Sequence, residues 1–302
     1  MRKIILTLIL IMFICGCTIP DVLKQMMPGF EQQEVKELPP DIITVQSLNI
    51  LPTPPINTED EFSVSFILKN QDDTNEVGQV KYNLFDSGLC DRAAGDDKAL
   101  GTLVPLQEEF VEWTFRAPTN DQIAQISTKC PIRFKVDYNF DARSQIDVNV
   151  ISQSRLTELQ RAGEGVTFTP TLTVGRGPVK IYLSFGASLP VKSGNKLPLY
   201  ILVEDKGDGL YSLIPDEEGK RLVIEAPGFD ATECVKDGKF TRSDSRLVSD
   251  GAIPLIRKKT VQLRCSLTAP AESFEKTYYI TASLNYDYTI TEETEVAVNP
   301  TG

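Results

Sequence analysis

Alternation of apolar and polar residues with a period of two is the feature that most constrains how this chain can fold. It is clearest in the segment that alternates Ile132, Phe134, Val136, Tyr138 and Phe140 with charged or amide residues. Strict alternation places every apolar side chain on one face of an extended strand, which is typical of half-buried antiparallel sheets. The chain is therefore predicted to be all-β.

Segments of the same period occur throughout both halves of the chain. In the first half they also include residues 62–68, 80–84, 111–115 and 146–150. In the second half they are residues 179–185, 199–203, 222–224, 261–267, 278–290 and 296–298. Asp, Asn, Gly and Pro clusters separate them, as expected of turns. About seven short strands in each half predict β-sandwiches.

The two halves repeat one order of strands and share short matching segments. Tyr-Asn-Phe-Asp at 138–141 matches Tyr-Asp-Tyr-Thr at 286–289, and Phe-Arg-Ala-Pro at 115–118 matches Leu-Thr-Ala-Pro at 267–270. Such repetition predicts a duplicated domain. We place β-sandwich domain 1 at residues 41–150 and domain 2 at residues 169–299. Residues 151–168 are then a linker with a short helix.

The first residues have the layout of a secretory signal peptide. Arg2 and Lys3 precede an apolar run over residues 4–14, which is too short to span a bilayer as a helix. The following Cys15-Gly16-Cys17 resembles, together with Ile14, the lipobox of prokaryotic lipoproteins. That resemblance implies removal of residues 1–16 and a diacyl-type anchor on Cys17.

The lipobox resemblance leaves alternatives open. Cys15 stands where the family commonly has Ala or Ser, so the sequence does not decide between Cys15 and Cys17, although Gly16 favours the second. The other interpretation is a plain signal peptide with incidental cysteines, or an uncleaved short anchor. Prolines at positions 20, 28, 39 and 40 oppose regular structure, so residues 17–40 are predicted to be the lipidated cysteine and a flexible tether.

The strand pattern over residues 41–299 is similar to that of immunoglobulin-like and fibronectin-III-like modules of prokaryotic, especially archaeal, surface proteins. The likeness rests on patterning, because the immunoglobulin Cys…Trp…Cys spacing is absent. It implies two tandem immunoglobulin-like sandwiches of a surface protein. Together with the lipobox resemblance, this predicts an extracytoplasmic location with a lipid anchor in the cell membrane.

Four cysteines remain beyond the N-terminal region, two in each half. Four cysteines permit three pairings, and sequence alone does not choose among them. The duplication favours one bridge within each half, which predicts Cys90–Cys130 and Cys234–Cys265. Structural bridges imply an oxidising compartment. The alternative of a redox or thiolate metal site lacks any Cys-x-x-Cys motif.

Composition and motifs argue against catalysis. The chain has no histidine, which excludes Ser-His-Asp machinery and histidine-ligated metals. Its net charge of −11 opposes nucleic-acid binding. Ser193 and Ser273 each begin a Ser-x-x-Lys motif, but both motifs fall in predicted turns, whereas penicillin-binding enzymes need the pair on one helical turn. We predict no enzyme activity and no cofactor.

Acidic turns and a tyrosine-rich strand are the remaining candidates for binding. Asp205 and Asp208, in the turn at 204–209, are weak calcium candidates, and hairpin chemistry is the simpler interpretation of that turn. Tyr278, Tyr286 and Tyr288 share the parity of the apolar residues and are predicted to point inward, unlike Tyr279.

These observations predict a membrane-anchored extracytoplasmic lipoprotein with a structural, adhesive or protein-presenting role. Its expected partners are the membrane, through the lipid, and an envelope or surface protein or glycan. A solute- or glycan-binding module, with calcium dependence as a variant, is the alternative. A hydrolase would require Ser193 or Ser273 beside its lysine in a cleft.

Overall fold

The described part of the computed structural model comprises residues 27, 29, 33–212, 221–236, 238–243, 246–255 and 260–301. The predicted signal peptide (residues 1–16), Cys15, Cys17 and residues 18–26 of the predicted tether lie outside it. Over these residues the fold is all-β, as predicted, with nineteen strands and two short helices.

The strands of the first half run from the N-terminal segment to a very long ninth strand. They are β1 Glu34–Glu37, β2 Ile43–Leu51, β3 Ile56–Asn57, β4 Glu61–Asn70, β5 Val77–Asp86, β6 Asp91–Ala94, β7 Lys98–Leu103, β8 Glu108–Arg116 and β9 Thr128–Ile151. Every period-two segment predicted in this half lies within one of them.

The second half begins with helix α1 and ends with a second very long strand. Its elements are α1 Gln153–Ala162, β10 Thr171–Val174, β11 Val179–Phe185, β12 Val191–Lys192, β13 Lys196–Asp205, β14 Leu210–Ser212, β15 Arg221–Glu225, α2 Thr232–Lys236, β16 Phe240–Ser243, β17 Arg246–Ala252, β18 Val261–Thr268 and β19 Glu275–Asn299.

The strands form one long sheet and two small sheets. The long sheet has 12 strands, with the central order β1-β10-β9-β19-β15-β17-β16, and further short strands pair with β5, β9 and β19. The first small sheet is β2-β4-β8-β6 and the second is β11-β13-β18. The core lies between the long sheet and the two small sheets, which gives two sandwiches, or lobes.

The central ribbon is the antiparallel pair of β9 and β19. Their ladder is continuous from Glu275–Ile151 to Val298–Thr128, with 24 residue pairs and no shift of register. Because side chains alternate, one face of the ribbon carries the apolar residues of both lobes and the other face carries polar ones. The ribbon is therefore shared by the two sandwiches.

Each lobe is completed by a strand from the other half of the chain. The end of β19 pairs with β3 of the first half through Val298 and Ile56. The end of β9 pairs with β12 of the second half through Val150 and Val191. The matched segments at 138–141 and 286–289 make Asn139 equivalent to Asp287, and these two residues pair with each other in the ladder. An approximate two-fold axis therefore passes through this pair.

The shared sheet is a feature that the prediction of two tandem domains did not include. The predicted boundary at residue 150 falls next to the end of β9, and strands from both 41–150 and 169–299 belong to the long sheet. The apolar alternation in the sequence is interrupted between Phe140 and Ile146. Ala142 and Ser144 continue the buried face there, 1% and 4% exposed, but residues so small give little apolar signal.

The predicted tether also ends earlier than expected. Within residues 17–40, strand β1 pairs in parallel with β10 from Glu34–Thr171 to Glu37–Val174. Prolines 39 and 40 lie just beyond this strand, and so do not interrupt its hydrogen bonds. Residues 34–37 thus belong to the long sheet.

Helix α1 is present in the linker as predicted. Ser152 caps it, its Oγ accepting from the backbone N–H of Arg155 at 3.1 Å, and Gly163 ends it with a φ of 70°. None of its residues is buried, so it is a surface connection. No described helix is long and apolar enough to cross a membrane.

The two lobes fill equivalent core positions differently. In the first lobe, Trp113 lies in a cluster of rings, with its centroid 5.3 Å from Phe66 and from Phe134. In the second lobe, the match of residues 115–118 with 267–270 makes Cys265 equivalent to Trp113, and Cys265 is bonded to Cys234 of α2. A disulfide to a helix thus replaces an aromatic cluster.

Strand exchange predicts that the halves stay together when the connection between them is cut. A protease site placed in the exposed loop between α1 and β10, at residues 163–165, should allow cleavage without dissociation. Both disulfides close within a half, so only non-covalent contacts would hold the fragments. Gel filtration of the cleaved protein should give one species of unchanged size, and denaturant should unfold it in one transition. Separation of the fragments under native conditions would contradict the shared ribbon.

Candidate functional site

The four downstream cysteines form the predicted bridges. Cys90, just before β6, is bonded to Cys130 in β9, with 5.8 Å between their Cα atoms, and Cys234 is bonded to Cys265 with 4.8 Å. All four side chains are buried. The bonds indicate an oxidising, extracytoplasmic environment.

Cys17, the predicted lipidation site, lies outside the described residues, but residues that follow it in the chain are described. Met27 is the first described residue, and its side chain is fully buried. Gln33 is also buried, and its Nε2 donates to the backbone oxygen of Leu183 in β11 at 3.0 Å. The chain is therefore docked on the second lobe soon after Cys17.

The calcium candidates serve local structure. Asp205 is 6% exposed, and its Oδ1 accepts from the N–H of Gly207 and from the hydroxyl of Tyr288, each at 3.1 Å. The first of these bonds, from the N–H two residues further along the chain, is the contact of an Asx-turn. Asp208 lies in the same turn. No group of three or more Cys, Asp or Glu side chains among the described residues comes together as metal ligands would.

Two other acidic turns are organised in the same way. The Oδ1 of Asp72 accepts from the backbone N–H groups of Thr74 and Asn75, each at 2.8 Å. Burial opposes ionisation of Asp72, but these hydrogen bonds prevail and lower the pKa of its carboxyl. Asp97 accepts from the N–H of Leu84 at 3.0 Å and from Arg92 at 2.7 Å. Both carboxylates therefore stabilise the conformation of their loops.

The Ser-x-x-Lys motifs do not form hydrogen-bonded pairs. The hydroxyl of Ser193 donates to the backbone oxygen of Glu272 at 3.3 Å, while Lys196 bonds Glu233 at 3.1 Å. In the second motif, the ammonium of Lys276 lies 4.7 Å from the ring centroid of Tyr278. The parity predictions for the tyrosines are confirmed for Tyr286 and Tyr288, which are buried, and for Tyr279, which is 54% exposed; Tyr278 is partly buried.

Lys180 is a fully buried lysine that the sequence analysis did not single out. It lies in β11, and its Nζ donates to the backbone oxygens of Leu38 at 2.5 Å, Gly175 at 2.9 Å and Pro39 at 3.3 Å. All three protons of the ammonium group can thus be satisfied. Two of the acceptors belong to the N-terminal segment, so this buried charge holds that segment against β11.

Side chains of β1 add to the same attachment. Glu37 accepts from the hydroxyl of Tyr182 at 3.1 Å and from Lys206 at 3.0 Å. The Lys206 ammonium also lies 5.0 Å from the centroid of the Tyr182 ring. These contacts explain why β11 is buried on both faces, since its outer face is covered by the docked N-terminal segment.

The electrostatics of Lys180 follow from its burial. Removal from water lowers the pKa of its ammonium group from 10.5 to about 8; Glu37 and Asp41 oppose the change, while Lys206 and Arg176 add to it. Nearby, burial also raises the pKa of the Glu204 carboxyl, with Glu37 and Asp205 adding to the shift and Lys206 opposing it.

The outward face of the central ribbon forms an elongated depression, which we call the ribbon groove. Its floor consists of residues 135–145 of β9 and 281–289 of β19 that face away from the core. The widest part has a volume of about 580 Å³ and lies in the second lobe. Five further residues from outside β9 and β19 line it: Thr173, Gly175, Val223, Glu225 and Arg246.

Three smaller depressions continue the groove into the first lobe. One of about 230 Å³ lies over Asn139 and Asn285, and one of about 160 Å³ over Asp137 and Asp287. The last, of about 360 Å³, is bordered by Lys81, Lys98 and Lys135. The groove therefore crosses the approximate two-fold axis.

A hydrogen-bonded network fixes the middle of the groove. The Nδ2 of Asn139 donates to Asn285 and to Asp287, each at 2.8 Å. The Nδ2 of Asn285 donates to Asn139 at 2.9 Å and to Asp141 at 2.7 Å. The sequence contains the signal for this face, namely the polar members of the alternation, but it does not show that β9 and β19 lie side by side.

Comparison with known proteins assigns no family. No protein-family model and no curated protein matches the chain. A transglutaminase of red sea bream has a TM-score of 0.20 and 13% identity, over 85% of this chain and 31% of that one, so this chain spans less than a third of its length.

Two further solved structures concern bacterial fimbriae. The chaperone–tip adhesin complex of CFA/I fimbriae has a TM-score of 0.10 at 10% identity, over 89% of this chain and 97% of that chain. A mutant CFA/I adhesin of enterotoxigenic E. coli has a TM-score of 0.09 at 9% identity, over 91% and 98%. Scores this low do not establish a common fold or function.

The buried Lys180 predicts a specific dependence of stability on pH. Because its folded pKa is lowered, the unfolded chain binds more protons between pH 8 and 10.5, so the free energy of unfolding should rise with pH across this window. Lys180→Met removes the titrating group. The wild-type minus variant difference should therefore increase by on the order of 3 kcal/mol at most between pH 8 and 10.5.

Denaturant unfolding of both proteins at several pH values measures that difference. Ionisation of unfolded tyrosines near pH 10 affects wild type and variant alike and cancels. A difference that stays constant from pH 7.5 to 10 would show that folding does not lower the pKa of Lys180.

Proposed function

We propose that the protein is an extracytoplasmic lipoprotein, anchored to a membrane through Cys17, which presents a rigid β-sandwich body to another component of the cell envelope and carries out no catalysis. The lipobox-like segment at 14–17 supports the anchor. The two disulfides support the compartment, because such bonds persist where thiols are not kept reduced.

The observation that carries the presenting role is the unbroken ladder of 24 residue pairs between β9 and β19. Two domains on a hinge would change their relative orientation, whereas two sandwiches on one ribbon keep it. A presenting or adhesive protein benefits from this, since a preorganised surface loses less entropy on binding. In this proposal each half forms a two-layered sandwich of immunoglobulin-like type, and the exchanged long strands join the two halves.

The docked N-terminal segment limits the reach of the anchor. The predicted tether of residues 17–40 would reach about 80 Å if fully extended. Because Met27 is buried and β1 is paired, only the ten-residue step from Cys17 to Met27 remains to span the gap, at most about 35 Å. The body would therefore stand close to the membrane, with the edge formed by β1 and β10 nearest to it.

The contacts of the candidate nucleophile support a non-catalytic role. The hydroxyl of Ser193 bonds to backbone groups of Ile151 and Glu272, so it is part of the turn. Lys196 is paired with Glu233 instead of the serine. The complete lack of histidine removes the commonest general base.

Intact-mass analysis of the protein from its native membrane tests the anchor. The chain should begin at Cys17, lack residues 1–16, and carry two or more acyl chains. Cys17→Ser should abolish the added mass and release the protein from the membrane fraction, because one or no acyl chain gives only marginal attachment. Cys15→Ser is the matched control and should leave both unchanged.

Two results would contradict this proposal. The first is a native mass that retains residues 1–16 without lipid. The second is loss of lipid in the Cys15→Ser variant with Cys17→Ser unaffected.

A further inference from the structure

We propose that the ribbon groove binds a chain of an uncharged polysaccharide. This inference deepens the proposed function and rests on it, since it names the chemistry of the envelope component that the body would hold. It is carried by the length, polarity, charge balance and preorganisation of the groove.

The groove has the dimensions of a site for an elongated ligand. Its floor on β9 runs from Lys135 to Gln145, which is eleven residues of extended chain and spans about 34 Å. The outward residues on this strand are all polar: Lys135, Asp137, Asn139, Asp141, Arg143 and Gln145. On β19 they are Thr281, Ser283, Asn285, Asp287 and Thr289. A small solute would occupy only a fraction of this surface.

The groups on this floor match the hydrogen bonding of sugars. A sugar hydroxyl both donates and accepts, so it is best met by a surface in which donors and acceptors alternate at short intervals. In the widest part of the groove, a row of five side chains, one from each of five neighbouring strands, offers hydroxyl, amide, carboxylate and guanidinium groups. Its members are Thr173, Gln145, Thr281, Glu225 and Arg246, paired successively in the sheet.

Many side chains along the groove are paired with one another before any ligand arrives. Arg246 bonds Glu225 at 2.6 Å and Arg143 bonds Asp141 at 3.2 Å. The amides of Asn139 and Asn285 bond each other and the neighbouring carboxylates. A surface fixed in this way loses little side-chain entropy when it binds, which favours recognition by hydrogen bonds alone.

The charge of the groove favours a neutral ligand. Five cationic side chains line it: Lys81, Lys98, Lys135, Arg143 and Arg246. Six anionic ones accompany them: Glu76, Asp97, Asp137, Asp141, Glu225 and Asp287. The five cations and six anions nearly cancel, while the whole chain has a net charge of −11. A polyanion would be repelled, and a polycation would find no anionic track.

An extended peptide fits the groove less well than a polysaccharide. Peptides bind sheets by adding a strand at an edge, or they insert side chains into apolar pockets. The groove lies over the middle of the long sheet, where the backbone groups of β9 and β19 are already paired. Val223 is the largest apolar side chain lining its widest part, so the groove offers little to apolar peptide side chains.

A pair of matched substitutions on β19 tests the proposal in the full-length chain. Thr281→Trp fills the wide part of the groove from its floor. Thr277→Trp makes the same change on the same face of the same strand, four residues away, at an exposed position that does not line the groove. Tryptophan is well tolerated in strands, and thermal unfolding would verify that both variants fold.

Retardation in native gels containing a dissolved polymer measures binding. The uncharged probes are mannan, hydroxyethyl cellulose and dextran; alginate, single-stranded DNA and reduced casein represent polyanions and unfolded peptide. We expect retardation by one or more uncharged probes that persists at high salt, because hydrogen bonds between neutral groups are not screened. Thr281→Trp should weaken it about tenfold or more, and Thr277→Trp should leave it unchanged.

The outcomes that overturn the inference are distinct from those that overturn the lipid anchor. Absence of retardation by all three uncharged probes would refute it. So would stronger retardation by alginate, DNA or casein, or equal weakening by the two tryptophan variants. Because the gel measures the purified chain without a membrane, failure here leaves the anchoring of Cys17 to be judged by the mass analysis, and the reverse also holds.

Discussion

The register between β9 and β19 is the constraint on which the rest of the structure depends. A slip of one residue would turn the apolar side chains of one of the two strands to the outside and its polar ones to the core. Because the ladder continues through both lobes, it aligns the core residues of both at once. It also sets the spacing of the polar side chains on the opposite face. Packing inside and the ribbon groove outside are thus two consequences of one alignment.

Alternation in the sequence predicted which side of strands such as β8 and β9 is buried, because that information is local. The pairing Cys90–Cys130 and Cys234–Cys265 also followed, since two cysteines in each half leave one intra-half choice. The partners of the strands did not follow, because pairing between residues 128–151 and 275–299 is non-local. Strand β1 gave no signal either: its only apolar residue is Val35, and its position depends on β10 and on the buried ammonium of Lys180.

The two halves share one arrangement of strands around the central ribbon but differ in detail. Equivalent long strands that pair about Asn139 and Asp287 generate an approximate two-fold axis, so each half lends its last strand to the other. The edge strand β11 of the second half is covered by the N-terminal segment, whereas β2 of the first half pairs only with β4. Trp113 and Cys265 show the same divergence inside the cores. The same arrangement of strands therefore accommodates different side chains where only local packing has to be satisfied.

The position of the groove relative to the N-terminal segment follows from strand order. β1 is hydrogen-bonded to β10, and β10 supplies Thr173 to the wide end of the groove, so that end lies beside the strand that leads back towards Cys17. With the anchor proposed above, a bound polymer would start near the membrane and continue along the ribbon into the first lobe. Such binding would require no conformational change, because the ladder between β9 and β19 fixes both the two lobes and the outward face of the ribbon.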